Sequence, residues 1–289
     1  MKDQSVIHKH TEENINLKAL AYHLRQEVLS MVYQAKTGHI GGDFSVMEIL
    51  VSLYMKEMNI SPENQDCPDR DYFVMSKGHS MEAYYSVLAA KGFLDIEDVK
   101  ANFSKFGSRY IGHPNNKLPG IEMNSGSLGH GLPVCVGIAR ACQMDHRPSR
   151  VYTVMGDGEL AEGSVWEGVM AASQYKLDNL CAVVDRNRLQ ISGSTEEVMH
   201  HDDLGARFAS FGWHVIEAAG NDVDALLQAF EEARETKGQP TVVIANTTKG
   251  CGVSFMENQA AWHHKVPDDN QYSLAETELK KREEALRNE

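Results

Sequence analysis

The stretch VYTVMGDGELAEGSVWEGVMAASQYKLDNLCAVVDRNRLQ, residues 151–190, decides how the chain folds. Its β-branched apolar run, Val151 to Met155, ends in Gly156-Asp157-Gly158. A helical pattern follows, and a second apolar run, Leu180 to Val184, ends in Asp185-Arg186-Asn187. Strand, tight turn, helix and strand form a parallel βαβ unit, whose right-handed crossover brings both turns to one edge of the sheet. Asp157 and Asn187 are therefore expected side by side, just past the carboxyl ends of neighbouring strands, where open α/β sheets bind ligands. A carboxylate and an amide oxygen are hard ligands, suited to Mg2+ that also grips a phosphate. Glycines on either side of Asp157 let backbone N–H groups approach anionic oxygens, and the following helix points its positive end at the same place. These features predict a site for a magnesium-bound diphosphate.

Composition sets the class around that unit. A chain of 289 residues, 42% hydrophobic and 24% charged, has the make-up of a soluble globular enzyme with a large core. Its net charge of −13 speaks against a nucleic-acid partner, which needs a basic surface. The five cysteines (Cys67, Cys135, Cys142, Cys181, Cys251) form no C-x-x-C pair and are odd in number, so they read as reduced thiols. No apolar run approaches the ~20 residues that span a bilayer, and residues 1–16 are polar with no signal-peptide core. The cytoplasm is the expected location, with no membrane partner.

Elsewhere strand and helix patterns alternate. Leu17 to Ala35 carries helical spacing, with Gly38 placed for a C-terminal cap. Ser45-Val46-Met47-Glu48 reads as a capping box that opens a helix toward Met58. Tyr72 to Met75 reads as a buried strand, Ser76-Lys77-Gly78-His79 as its loop, and Ser80 to Gly92 as a helix. Residues 104–127, rich in Gly, Asn and Pro, form a long irregular loop, a feature that usually signals function. A helix runs from near Gly129 to Met144. Further on, Asp202 or Asp203 caps a helix to Phe211, Trp213 to Ala218 is a strand, Asp222 caps a helix to Lys237, and Thr241 to Asn246 is the last strand. The charged tail, Ser273 to Glu289, reads as a solvated amphipathic helix. The expected fold is α/β, a parallel sheet flanked by helices on both faces, in a single domain over residues 1–289 with peripheral helical extensions at both ends.

Gly-Asp-Gly, with 28 residues between Gly158 and Asn187, resembles the thiamine-diphosphate fingerprint. Three histidines lie in Gly-containing loops: Thr37-Gly38-His39-Ile40-Gly41-Gly42, Ser76-Lys77-Gly78-His79 and Ile111-Gly112-His113-Pro114. Imidazoles suit proton traffic with sugar hydroxyls and carbonyls near neutral pH. These loops are joined by Asn124-Ser125-Gly126-Ser127-Leu128-Gly129-His130-Gly131, GDGELAEGSVWE, Thr248-Lys249-Gly250 and Trp262-His263-His264-Lys265. Together they resemble, in order from about residue 17 to 267, the amino-terminal diphosphate-binding domain of transketolase.

That resemblance implies roles. Asp157, Asn187 and the Leu189 carbonyl would bind Mg2+, with Ca2+ or Mn2+ able to replace it, while Gly156 and Gly158 approach the diphosphate. Gly126, Ser127 and Leu128 would meet the aminopyrimidine end of thiamine diphosphate. His39, His79, His113 and His263 would surround the reactive carbon, His79 and His263 also touching the cofactor. Lys249 would neutralise diphosphate charge, against the alternative of a surface lysine. Glu162 either links two active sites across a dimer or complements the helix dipole. The sequence departs from the family at His130, where Gln is usual, at Gly42, where a Ser or another small residue is often found, and at His264, where Gly is usual; the extra histidine leaves His263 and His264 as rivals, with His263 preferred.

In the family the cofactor is activated by a glutamate on a following pyrimidine-binding domain, and no second βαβ run follows Trp262. The resemblance therefore implies one half of a split transketolase, paired with a second chain in an α2β2 assembly. The implied chemistry is transfer of a two-carbon ketol unit from a ketose phosphate to an aldose phosphate. A ketol transferase for another sugar phosphate, an enzyme like 1-deoxyxylulose-5-phosphate synthase and a non-catalytic cofactor-binding protein are the alternatives.

Overall fold

Five short apolar runs assemble into one parallel sheet in the computed structural model, which describes residues 16–288. They are β1 (Tyr72–Met75), β2 (Val151–Gly156), β3 (Leu180–Arg186), β4 (His214–Ala219) and β5 (Thr241–Asn246), in the spatial order β1-β2-β3-β5-β4. Ten α-helices among the described residues surround them: α1 (Leu17–Ala35), α2 (Ile40–Ser52), α3 (Met81–Ala90), α4 (Ile96–Asn102), α5 (Gly131–Met144), α6 (Gly163–Gln174), α7 (Thr195–Val198), α8 (Leu204–Ser210), α9 (Val223–Glu235) and α10 (Asp269–Arg287). Successive strand residues point to opposite faces. Tyr152, Val154, Cys181 and Val183 face one core with α1, α2, α3 and α9, whereas Val151, Met155, Leu180 and Val184 face a second core with α5, α6 and α8. Burial on both faces is why the strands are continuously apolar rather than alternating. Helices on both faces of a parallel sheet match the expected class.

Local signals place most boundaries. Asp203 and Asp222 accept backbone N–H groups at the starts of α8 and α9, as N-caps do. Residues 104–130 are irregular, as their composition predicts. Three expectations are corrected. The left-handed residue that ends α1 is Lys36 (φ 55°), not Gly38. Ser45 opens no helix: α2 already begins at Ile40, and Ser45 sits inside it, its Oγ 2.6 Å from Asp185 Oδ2. The α2 start is set by tertiary contact instead. The Gly41 carbonyl accepts the Gly250 N–H, and a Cβ on Gly41 would stand 2.7 Å from the Trp262 carbonyl. The tail is docked rather than solvated: Ala275 and Leu279 of α10 are fully buried, and Glu283 accepts from Gln26 of α1. The reading of residues 1–15 and of Glu289 lies outside the described residues. No helix among the described residues is long and apolar enough to cross a membrane.

Candidate functional site

The tips of β2 and β3 lie side by side, with Gly156 in register with Asp185. Asp157 follows one tip and Asn187 the other, both nearly buried. Asp157 Oδ1 accepts the Gly158 N–H at 2.9 Å, and Oδ2 accepts the Arg188 N–H at 2.6 Å, which ties the two loops together. Asn187 Oδ1 accepts the Leu189 N–H at 3.1 Å. Burial, and then the neighbouring Asp185, push the Asp157 carboxyl up to about 6. The glycines supply room rather than free donors, because the Gly156 N–H donates to Glu159 Oε2 at 3.1 Å. Beside them opens a cleft of about 370 Å³, lined by His39, His79, Gly126, Leu128, Gly156, Asp157, Gly158, Asn187, Leu189, Lys249, His263 and His264.

Several lining or supporting residues carried no signal in the sequence. Lys77, buried, pairs with the fully buried Asp185 and donates to the Gly42 carbonyl at 3.2 Å. Asp185 is also bonded by the Ser45 and Thr247 hydroxyls. Glu159 accepts from Ser76, Gly129 and Gly156, so one carboxylate joins the β1 loop, the α5 entrance and the β2 tip. Gln190 Nε2 lies buried on the cleft wall with no protein partner. A hydrophobicity pattern identifies Lys77, Asp185 and Glu159 only as loop-edge charges; their partners lie up to 140 positions away.

The four predicted histidines come together, and a fifth joins them. The His39 ring centroid lies 5.5 Å from that of His79, 6.1 Å from His113, 5.7 Å from His263 and 3.9 Å from His264. His263 is the more enclosed of the rival pair, with its Nδ1 3.1 Å from Lys249 Nζ, while His264 is exposed at the mouth. Burial lowers His39 and His263 to about 3 and His79 well below its usual range, so these rings are neutral around pH 7. Lys249 is buried, not a surface lysine; burial and then Lys77 lower it to about 8.

The remaining predicted residues divide. Gly126 and Leu128 line the cleft; Ser127 is exposed and outside it. Glu162 is exposed at the start of α6, its side chain packed against Gly129. His130 precedes α5 without capping it through its ring. Gly126 has φ +142° and would place a Cβ 2.8 Å from the His113 ring. Gly126→Ala is expected to cost about 1–3 kcal/mol through backbone strain and a displaced His113; a thermal midpoint equal to wild type would contradict this.

A parallel α/β sheet that gathers an Asp and an Asn at neighbouring strand tips, above a histidine-lined cleft, defines a diphosphate-binding fold. The family profile described as transketolase, thiamine diphosphate binding domain, matches residues 17–281. The chain belongs to that transketolase family. It is 48% identical over 265 residues to an apulose-4-phosphate transketolase subunit of Phocaeicola vulgatus, covering 92% of this chain and 94% of that protein. It is 38% identical over 272 residues to a 6-deoxy-6-sulfo-D-fructose transketolase subunit of a Clostridium species, covering 94% and 98%. Among solved structures, the transketolase of Campylobacter jejuni superposes with a TM-score of 0.87 at 27% identity, over 94% of this chain and 46% of that one.

Proposed function

We propose that this chain is the diphosphate-binding subunit of a two-chain transketolase. One observation carries the reading: Asp157 and Asn187 stand at adjacent strand tips in the same cleft as His39, His79 and His263, whose rings are neutral. The residues fit the cofactor. A Cβ built on Gly156 meets nothing within 4 Å, Gln190 Nε2 is a buried donor in need of an acceptor, and Asp157 is a buried carboxyl with no cationic side chain bonded to it, which a divalent cation would balance. Asp157, Asn187 and the Leu189 carbonyl would hold Mg2+, while Lys249 and the Gly156–Gly158 turn face the diphosphate and Gly126 with Leu128 the pyrimidine end. Bound thiamine diphosphate supplies the electron sink for breaking a carbon–carbon bond next to a carbonyl.

The protein's part is placement and proton handling. Neutral His39, His79 and His263 present ring nitrogens that can accept a hydroxyl proton or donate to a carbonyl oxygen. His39 Nδ1 is buried without a protein partner, so its hydrogen-bonding capacity is left unfilled beside the cleft. Ile191, 71% exposed on the cleft wall, marks where a partner chain would close the site. The partner would bring the pyrimidine-binding domain, in an α2β2 arrangement within the cytoplasm. The relatives' names suggest apulose-4-phosphate as the first ketose to assay, with other sugar phosphates as the panel.

Co-expression with a pyrimidine-binding partner is expected to give a complex that transfers ketol units, with little activity from this chain alone. Ordinary turnover by the purified chain alone would overturn the two-chain assignment. In the complex, His263→Ala should lower kcat by about 10²–10⁴, whereas His264→Ala, at the mouth, should chiefly raise KM. The reverse ranking would assign the inner role to His264.

A further inference from the structure

Two neighbouring carboxyl groups lie behind the His39 loop, and no Lys or Arg side chain among the described residues pairs with either. Asp43 on α2 and Glu82 on α3 are both fully buried. Asp43 Oδ1 accepts the Ala83 N–H at 3.0 Å, and Glu82 Oε1 accepts the His39 N–H at 3.2 Å. The two remaining oxygens, Asp43 Oδ2 and Glu82 Oε2, are buried with no donor bonded to them, and the Asp43 carboxyl, held on the N–H of the residue after Glu82, is the Glu82 side chain's neighbour. Charged groups nearby are committed elsewhere: Lys77 to Asp185 and Lys249 to His263. The His39 ring is neutral, and Tyr85, also close to Glu82, is held neutral by burial.

We infer that Asp43 and Glu82 share one proton at neutral pH, and that this hydrogen bond positions the backbone of His39 in the active-site cleft. Two ionised carboxylates in contact within a dry interior repel each other and forfeit hydration, so one must stay protonated. The proton lies between Oδ2 and Oε2, which leaves Oε1 to fix the His39 N–H. The same contact explains the glycine before His39: a Cβ on Gly38 would stand 2.5 Å from Glu82 Oε1. Burial raises Asp43 to about 7 and Glu82 well above the usual carboxylate range.

The sign of the pH effect follows. Both groups bind protons more tightly when folded than in the unfolded chain. Their stabilisation is complete below the ordinary carboxyl values of 3.8 and 4.5 and is lost progressively as pH rises through about 7. Glu82→Gln keeps an acceptor for His39 and gives Asp43 a permanent amide donor; Asp43→Asn does the reverse for Glu82. The double variant points two amide donors at one another.

The first test is the thermal midpoint of the purified chain against pH. Between about pH 5 and pH 8, wild type should lose about 3 °C more than Glu82→Gln; coincident curves would overturn the shared proton. The second is kcat/KM of the assembled enzyme. Each single amide variant should stay close to wild type, and the double variant should fall about tenfold below the product of the two singles. Additive behaviour would overturn the one-donor geometry, and if the double variant does not fold, the pH curves of the single variants decide. The stability test is independent of the two-chain transketolase reading; only the turnover test rests on it, so failure of one is distinguishable from failure of the other.

Discussion

Asp157→Ala is expected to weaken the joint binding of thiamine diphosphate and Mg2+ by more than about 100-fold, since even residues that merely support a metal ligand cost 10–100-fold when removed. The substitution acts twice. It removes a carboxylate oxygen from the proposed metal shell, and it releases the Arg188 N–H, 2.6 Å from Oδ2. Arg188 is held at φ 64°, a left-handed conformation that costs energy outside glycine and persists because neighbours enforce it. Freed from Asp157, that turn would shift the Leu189 carbonyl as well. Asp157→Asn keeps one acceptor oxygen, sets its NH2 against the other N–H and drops the charge, but it still offers the metal an oxygen, so its loss should be smaller, about tenfold. Cofactor titration of the assembled enzyme at fixed Mg2+ measures both variants. Wild-type affinity in Asp157→Ala would remove Asp157 from the site.

Lys77→Met is the second large effect, and it is read as stability. Lys77 and Asp185 are, respectively, 1% and 0% exposed by side chain, so neither charge is solvated. Removing the lysine strands Asp185 in the interior with only the Ser45 and Thr247 hydroxyls, and beside Asp157. Breaking a buried pair on one side costs about 3–5 kcal/mol. Denaturant unfolding of the purified chain should show that loss as a lower midpoint. A change under about 1 kcal/mol, the range of an exposed pair, would mean that Asp185 is neutral or hydrated there.

Much of this is legible in the sequence. The β5 run Thr241–Asn246 matches its strand residue for residue, because a strand buried on both faces is written as an unbroken apolar run. The Asp157–Asn187 juxtaposition follows from the handedness of one crossover. Ser45 misleads because serine followed three residues later by glutamate is a capping signal only where the chain is otherwise free. Here Asp185 holds the Ser45 hydroxyl, and Arg25 pairs with Glu48 at 2.6 Å. The charged tail misleads because its two buried residues, Ala275 and Leu279, are too few to stand out among charges.

Periodicity, turn residues and motif spacing act over one to thirty positions, and within that range the chain alone determined its strands, the sheet edge that carries the cleft, and the pairing of Asp157 with Asn187. Partner choice among buried charges was settled only by the assembled fold. Lys77 finds Asp185 across 108 positions, and Glu82 meets Asp43 across two helices. Desolvation makes each of these contacts matter, and desolvation exists only once the layers have packed.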